Sequence, residues 1–214
     1  MGPGATWGDA MTADEVAALF TRADGSYHFA RWGRPIVPVV FGVADDTLGV
    51  VKGAIEAVVT LAGHKMAETD PELGANLMIF FLREWDEVLA VPGLDGLVPD
   101  LAARVARLQA AGANQYRAFR FEASGAIKAA FVFLRMDAAL AAMDAEALAL
   151  GQAALMMLDW AEGAFRGASP LGRVGARVVL RPEIAGVIRA GYAAVMPSVA
   201  RDASHAWRLA ARVG

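Results

Sequence analysis

The 214-residue sequence contains no cysteine. That excludes disulfides, thiolate zinc sites, iron–sulfur clusters and cysteine nucleophiles within the chain. Histidine is scarce as well: His28, His64 and His205 lie far apart and in unlike contexts. A helical zinc site needs two nitrogens one turn apart on one face. None of the three has such a partner, so surface or capping roles are expected of them. There is no G-x-S-x-G elbow, no GxxxxGK[ST] phosphate loop and no strand-to-helix GxGxxG. The expected catalytic residues, metal ligands and cofactors are therefore none.

Long uncharged runs are missing too, although 57% of the residues are hydrophobic. The stretch from Ala147 to Leu158 ends at Asp159, and that from Pro35 to Ala44 ends at Asp45. Both fall short of the roughly 20 apolar residues that a spanning helix needs, so no membrane span is expected. The start, MGPGATWGDAMTADEV, has neither a basic region nor an apolar core. Without a secretory signal, the expected location is cytoplasmic. The net charge of −3 is mild and the basic residues are dispersed. A nucleic-acid partner would call for a concentrated Lys/Arg surface, and none is expected. No repeat and no low-complexity linker divides the chain. One domain over 1–214 is expected, with 1–11 as a flexible N-terminal segment.

What is present is a sequence of clear local signals. Thr12 and Glu15 form a capping box ahead of Val16, Leu19 and Phe20, which predicts the first helix. Gly25 to Pro35 reads as irregular. Ile36 to Val43 is a short β-branched run of the kind that forms a strand buried on both faces. Pro38 inside it cannot donate to a ladder, so the strand belongs at an edge or carries a bulge. Asp45 or Asp46 is expected to cap a helix running to about Gly63, with Leu48, Val51, Ile55, Val58 and Val59 on its apolar side. Gly49 and Gly53 within it suggest close packing. The turn Asp70-Pro71-Glu72-Leu73-Gly74 leads into the strongest strand, Asn76 to Leu82, and strand, helix, strand at this spacing predicts a βαβ crossover.

A short helix around Trp85 to Leu89 and another from Asp100 to Ala111 follow. Tyr116 to Glu122 and Ala126 to Leu134, separated by Ala123-Ser124-Gly125, predict a β-hairpin. Its parity suggests one aromatic face with Phe119, Phe121, Phe131 and Phe133, and an opposite face with Tyr116, Arg120 and Lys128. Asp137 and Asp144 read as helix caps. Asp144 to Leu158 is almost entirely apolar, the mark of a central helix. A short strand at 176–180 and helices from Pro182 to Val195 and Ser198 to Val213 close the chain. The sum is α+β: a small mixed sheet, from the crossover and the hairpin, packed against a central apolar helix and further helices.

Gln152 is the one primary amide among the small and apolar residues of that central helix. Burying it costs a few kcal/mol unless its donors and acceptor are met. A backbone carbonyl or buried water would do so; alternatively Gln152 is a polar anchor at the base of an apolar pocket. Asp159 lies two turns further on, nearly on the same face, with Trp160 and Phe165 after it as a polar and aromatic rim. Arg31 and Arg34 bracket Trp32, while Arg117 and Arg120 interleave with Tyr116 and Phe119. Cations among aromatics can form a single-stranded nucleic-acid platform, but the opposite parity of Phe119 and Arg120 directs the aromatics to the core instead. The binding candidates are Gln152, Asp159, Trp160 and Arg120.

Taken in order, RWGRPIVPVVF (31–41), a helix, GANLMIFF (74–81) and GAIKAAFVF (125–133) before a central helix resemble a bacterial domain-of-unknown-function family with a minimal zincin-like peptidase fold. The resemblance covers about residues 29 to 196, in spacing and strand character more than in identities. It implies a central helix with a His/Glu-x-x-x-Gln/His pattern that supplies metal ligands and the general base. Gln152 matches the polar position of that pattern and Asp159 a later acidic one. Leu148 and Ala149 stand where ligand and base should be, which implies an inactive relative, a pseudoenzyme.

The expected function is thus a non-catalytic binding or adaptor protein for a protein partner or a small apolar ligand. The alternatives are a metal-independent hydrolase-like enzyme built on carboxylates that folding brings together, or a structural subunit of a larger assembly, which would be an oligomer.

Overall fold

Thr12 accepts from the Glu15 amide while the Glu15 carboxylate accepts from the Thr12 amide, and this reciprocal cap starts α1 (Ala13–Ala18). The computed structural model describes residues 11–213, so all of the N-terminal segment 1–11 except Met11 lies outside the described residues. After α1 come β1 (Phe29–Ala30), β2 (Pro38–Phe41), α2 (Asp45–Leu61) and β3 (Leu77–Leu82). A 3-10 helix (Trp85–Ala90), α3 (Leu94–Leu97) and α4 (Leu101–Ala110) lead to the hairpin of β4 (Gln115–Phe121) and β5 (Ile127–Arg135). Then follow α5 (Ala138–Ala141), α6 (Ala145–Met156), β6 (Leu171–Val174), β7 (Arg177–Leu180), α7 (Pro182–Gly191), β8 (Val199–Ala200) and α8 (Ser204–Ala210).

The fold is α+β, and its main sheet has the order β2-β3-β5-β4. β2 and β5 both run parallel to β3, and β4 runs antiparallel to β5. The crossover β2–α2–β3 and the β4–β5 hairpin are the two expected units. Alternate residues of β3 and β5 serve two cores. Leu77, Ile79, Val132 and Leu134 face α2, α6 and α7, while Phe80, Leu82, Phe131 and Phe133 face the 3-10 helix and α4. α6 is buried nearly all round, as a central helix must be, and Asp144 caps it through the Ala147 amide.

Several expectations need correction. The strand expected over Ile36 to Val43 lies at the sheet edge, as Pro38 requires, but it is shorter, β2 starting at Pro38 itself, and it is partly exposed rather than buried on both faces. Neither Asp45 nor Asp46 caps α2: Ala44 holds that position, and the two carboxylates lie in the first turn near the positive end of the helix dipole. Gly49 and Gly53 approach nothing closely, and both are exposed.

The hairpin has no single aromatic face. Antiparallel pairing sets Phe133 opposite Tyr116 and Phe131 opposite Ala118, while Phe119 faces Ala130 on the other side. A bulge between Arg120 and Phe121 then turns Phe121 outward, where it is exposed. Within Gly25 to Pro35, Phe29 and Ala30 form a strand with Ala200 and Val199, and the last helix therefore begins only at Ser204. α7 stops at Gly191, four residues earlier than Val195.

Candidate functional site

Of the two outer strands, β4 is the one whose free side opens on an extensive cleft. This cleft has a volume of about 790 Å³ and runs along β4 between the loop before α4 and the segment after α6. Its walls bring together Arg22, Arg104, Arg117, Arg120 and Arg166, with Tyr116, Phe119, Trp160 and Phe165 among them. Asp159 and Glu162 are the carboxylates of its lining.

Arg117 is the central cation. It belongs to the β4 residues that face α6, and its Nη1 donates to Gln152 Oε1 at 3.0 Å. Gln152 in turn donates from Nε2 to Gln115 Oε1 at 2.7 Å. The buried amide is therefore met by two side chains of β4, rather than by a backbone carbonyl. Among the described residues no carboxylate lies within ion-pair distance of Arg117. Burial pulls its pKa down to about 10, so it stays charged at neutral pH. A partly buried cation whose only partner is a neutral amide keeps much of its desolvation cost uncompensated.

Asp159 is not on the helix face of Gln152, because α6 ends at Met156 and the chain continues extended, with the Asp159 amide donating to Ala30 O. Its carboxylate is 7% exposed as a residue, and Oδ2 takes both Arg22 Nη2 and His28 Nδ1, the latter at 2.9 Å. Arg22 also donates to Trp160 O at 2.9 Å. Asp159 thus neutralises Arg22 and fixes it to the cleft wall. Trp160 is buried, stacks on Phe20 at 5.2 Å and meets Phe165 edge-on at 5.2 Å. At the other end Arg104 donates to Tyr116 Oη at 2.6 Å. Arg120 and Arg166 are exposed on the rim. Arg104, Arg117, Arg120 and Arg166 are without ion-pair partners among the described residues.

Three of the four sequence candidates, Asp159, Trp160 and Arg120, line this one cleft, and Gln152 stands behind it through Arg117. Sequence reasoning missed Arg22, Arg104, Arg117 and Arg166 as a group. The available signal was Arg117 two residues from Gln115 in a strand next to a helix with one amide; the other three are brought in by folding.

The histidines also depart from expectation. His205 is 3% exposed, with Nδ1 at 2.9 Å from Tyr27 Oη and Nε2 unpartnered. Burial, with the charge of Arg208 beside it, pushes its pKa down to about 4. His28 is drawn to Asp159, and His64 Nε2 lies 2.9 Å from Arg34 O.

Folding does assemble carboxylates elsewhere. Asp70, Glu72 and Glu122 gather around Arg34, and Lys128 joins Glu72. Asp70 is almost fully buried; burial raises its pKa, but the amides of Leu73 and Glu72, with Arg34 and Asn76, outweigh this and hold it at about 2. A carboxyl so strongly ionised is a structural anchor between the turn at 70–74 and the hairpin, and a poor general acid. The zinc chemistry that the zincin-like resemblance implies does not fit these residues. Leu148 and Ala149 are buried and apolar, and among the described residues no group of three His, Asp or Glu side chains is placed to hold a metal ion. Compared with known proteins, the chain matches no family model, no curated protein and no solved structure.

Proposed function

We propose that the protein is a non-catalytic binding protein whose β4 cleft takes up an anionic ligand. The observation that carries this reading is Arg117, a partly buried guanidinium held by the neutral Gln152, with no carboxylate among the described residues within ion-pair distance. Such a cation gains most from an anion that arrives from solvent, because the cost of removing it from water has already been met. Arg104, Arg120 and Arg166 raise the local concentration of anions around it. Gln152 acts as the anchor that orients the guanidinium. The aromatic lining, Tyr116, Trp160 and Phe165, provides planar surface for the body of the ligand.

The zincin-like resemblance of residues 29 to 196 enters this proposal only as a fold without its metal chemistry, because the side chains of Leu148 and Ala149 offer no lone pair.

Isothermal calorimetry with acetate and inorganic phosphate at low ionic strength tests the proposal. Wild-type protein is expected to bind, and Arg117→Met to lose affinity at least about tenfold, as removal of a charge-assisted pair demands. Equal binding by the two proteins would overturn the assignment.

A further inference from the structure

Beyond the Arg117–Gln152 bond the cleft continues into a second cavity. It has a volume of about 350 Å³ and lies between α6 and the segment that leads into β6. Gln115, Leu155, Phe165 and Arg166 line both spaces, so the two adjoin along a shared wall. The inner one is walled by Met143, Leu148, Gly151, Leu155, Phe165 and Leu171. Gln152 also borders it, but its oxygen is engaged by Arg117 and its nitrogen by Gln115. The annex therefore presents mainly apolar surface, with Arg166 on the wall it shares with the cleft and Arg117 in the cleft outside it.

Resting on the anion-binding reading, we infer that the ligand is a small monocarboxylate bearing a short alkyl or aryl group. The carboxylate meets Arg117 and Arg166 in the cleft, and the apolar group enters the annex beside Gly151. Glycine at 151 keeps this space open. A Cβ there would lie 3.4 Å from Leu171 Cδ1, an ordinary contact, and any longer side chain would extend among the annex walls. A doubly charged head group without an apolar body, such as inorganic phosphate, uses only the outer half of the site.

The test is a chain-length series of acetate, butyrate and hexanoate, titrated by calorimetry into the wild type and Gly151→Leu, with circular dichroism to check folding. Each buried methylene is worth about fourfold in affinity, so hexanoate is expected to bind wild type at least about tenfold more tightly than acetate. In Gly151→Leu the advantage of hexanoate over acetate should vanish. Equal affinities for acetate and hexanoate in the wild type would overturn the annex and leave the anion reading standing. Binding of no carboxylate and no phosphate would overturn both. A folded Gly151→Leu that keeps the hexanoate advantage would also overturn the annex. Should that variant not fold, the wild-type series decides alone.

Discussion

Arg117 Nη1 and Gln152 Oε1 meet at 3.0 Å, a cation from an edge strand resting on the one amide of an otherwise apolar helix. The two residues respond unequally to removal. Arg117→Met relieves the desolvation cost of a partly buried cation but leaves Gln152 Oε1 without its donor, so the two effects offset and stability is expected to change by less than about 1 kcal/mol. Gln152→Leu strands both Arg117 and Gln115, at a cost of about 1–3 kcal/mol. Urea midpoints at constant m-value measure both. A stabilised Gln152→Leu that still binds anions would show that the amide anchors nothing.

Asp159 holds the side chains of Arg22 and His28 on one carboxylate oxygen. Asp159→Asn releases Arg22 and His28 in a partly buried setting, and a loss of about 1–3 kcal/mol is expected. Because Arg22 also forms the cleft wall, ligand affinity should change with stability. The double variant Asp159→Asn/Arg22→Met should recover part of the stability, which a thermodynamic cycle reads as coupling between the two.

Stability is expected to fall in two acid steps. His205 is held neutral, with its pKa at about 4 against an ordinary 6.5, so the unfolded chain binds its proton first. Its contribution is complete above pH 6.5 and disappears as pH drops toward 4, a span worth about 3 kcal/mol. Asp70, at about 2 against 3.8, gives a second loss of about 2 kcal/mol between those values. Denaturation at a ladder of pH values should show the upper step flattened in His205→Gln and the lower one in Asp70→Asn. A stability that is level from pH 7 to 4 contradicts the first assignment.

Two glycines should behave in opposite ways. Gly42 has φ +81°, and a Cβ there would sit 2.1 Å from Phe81 O, so Gly42→Ala is expected to cost about 2–4 kcal/mol. Gly53 is exposed in mid-helix with nothing near it, and Gly53→Ala should gain about 0.5–1 kcal/mol. Thermal midpoints of the two variants, moving in opposite directions, check both.

What could be read from the sequence was local. The capping box at Thr12, the run Leu77 to Leu82, the hairpin around Ala123-Ser124-Gly125 and the largely apolar α6 each announce themselves within a dozen residues. The aromatic parity of the hairpin misled, because face identity depends on register across strands, which a single strand does not carry. Gln152 stood out as an amide without neighbours of its kind. Its partners did not, since Arg117 is separated from it by 35 positions, and Arg22 from Asp159 by 137. A cleft composed of remote arginines has no signature in any window of sequence.

The pairing of Phe29 with Ala200, and the contact of Tyr27 with His205 across 178 positions, bind the two ends of the described chain together. Phe20, Tyr27 and Phe29 are core residues, and His205, which packs against Tyr27 and Phe29, is synthesised 178 positions after Tyr27. During translation this aromatic group must therefore wait uncovered while the central sheet forms. The contacts that close this end of the fold are long-range, a topology that slows folding. A chain shortened before Val199 would keep its sheet and its arginines but leave that aromatic surface open, inviting aggregation.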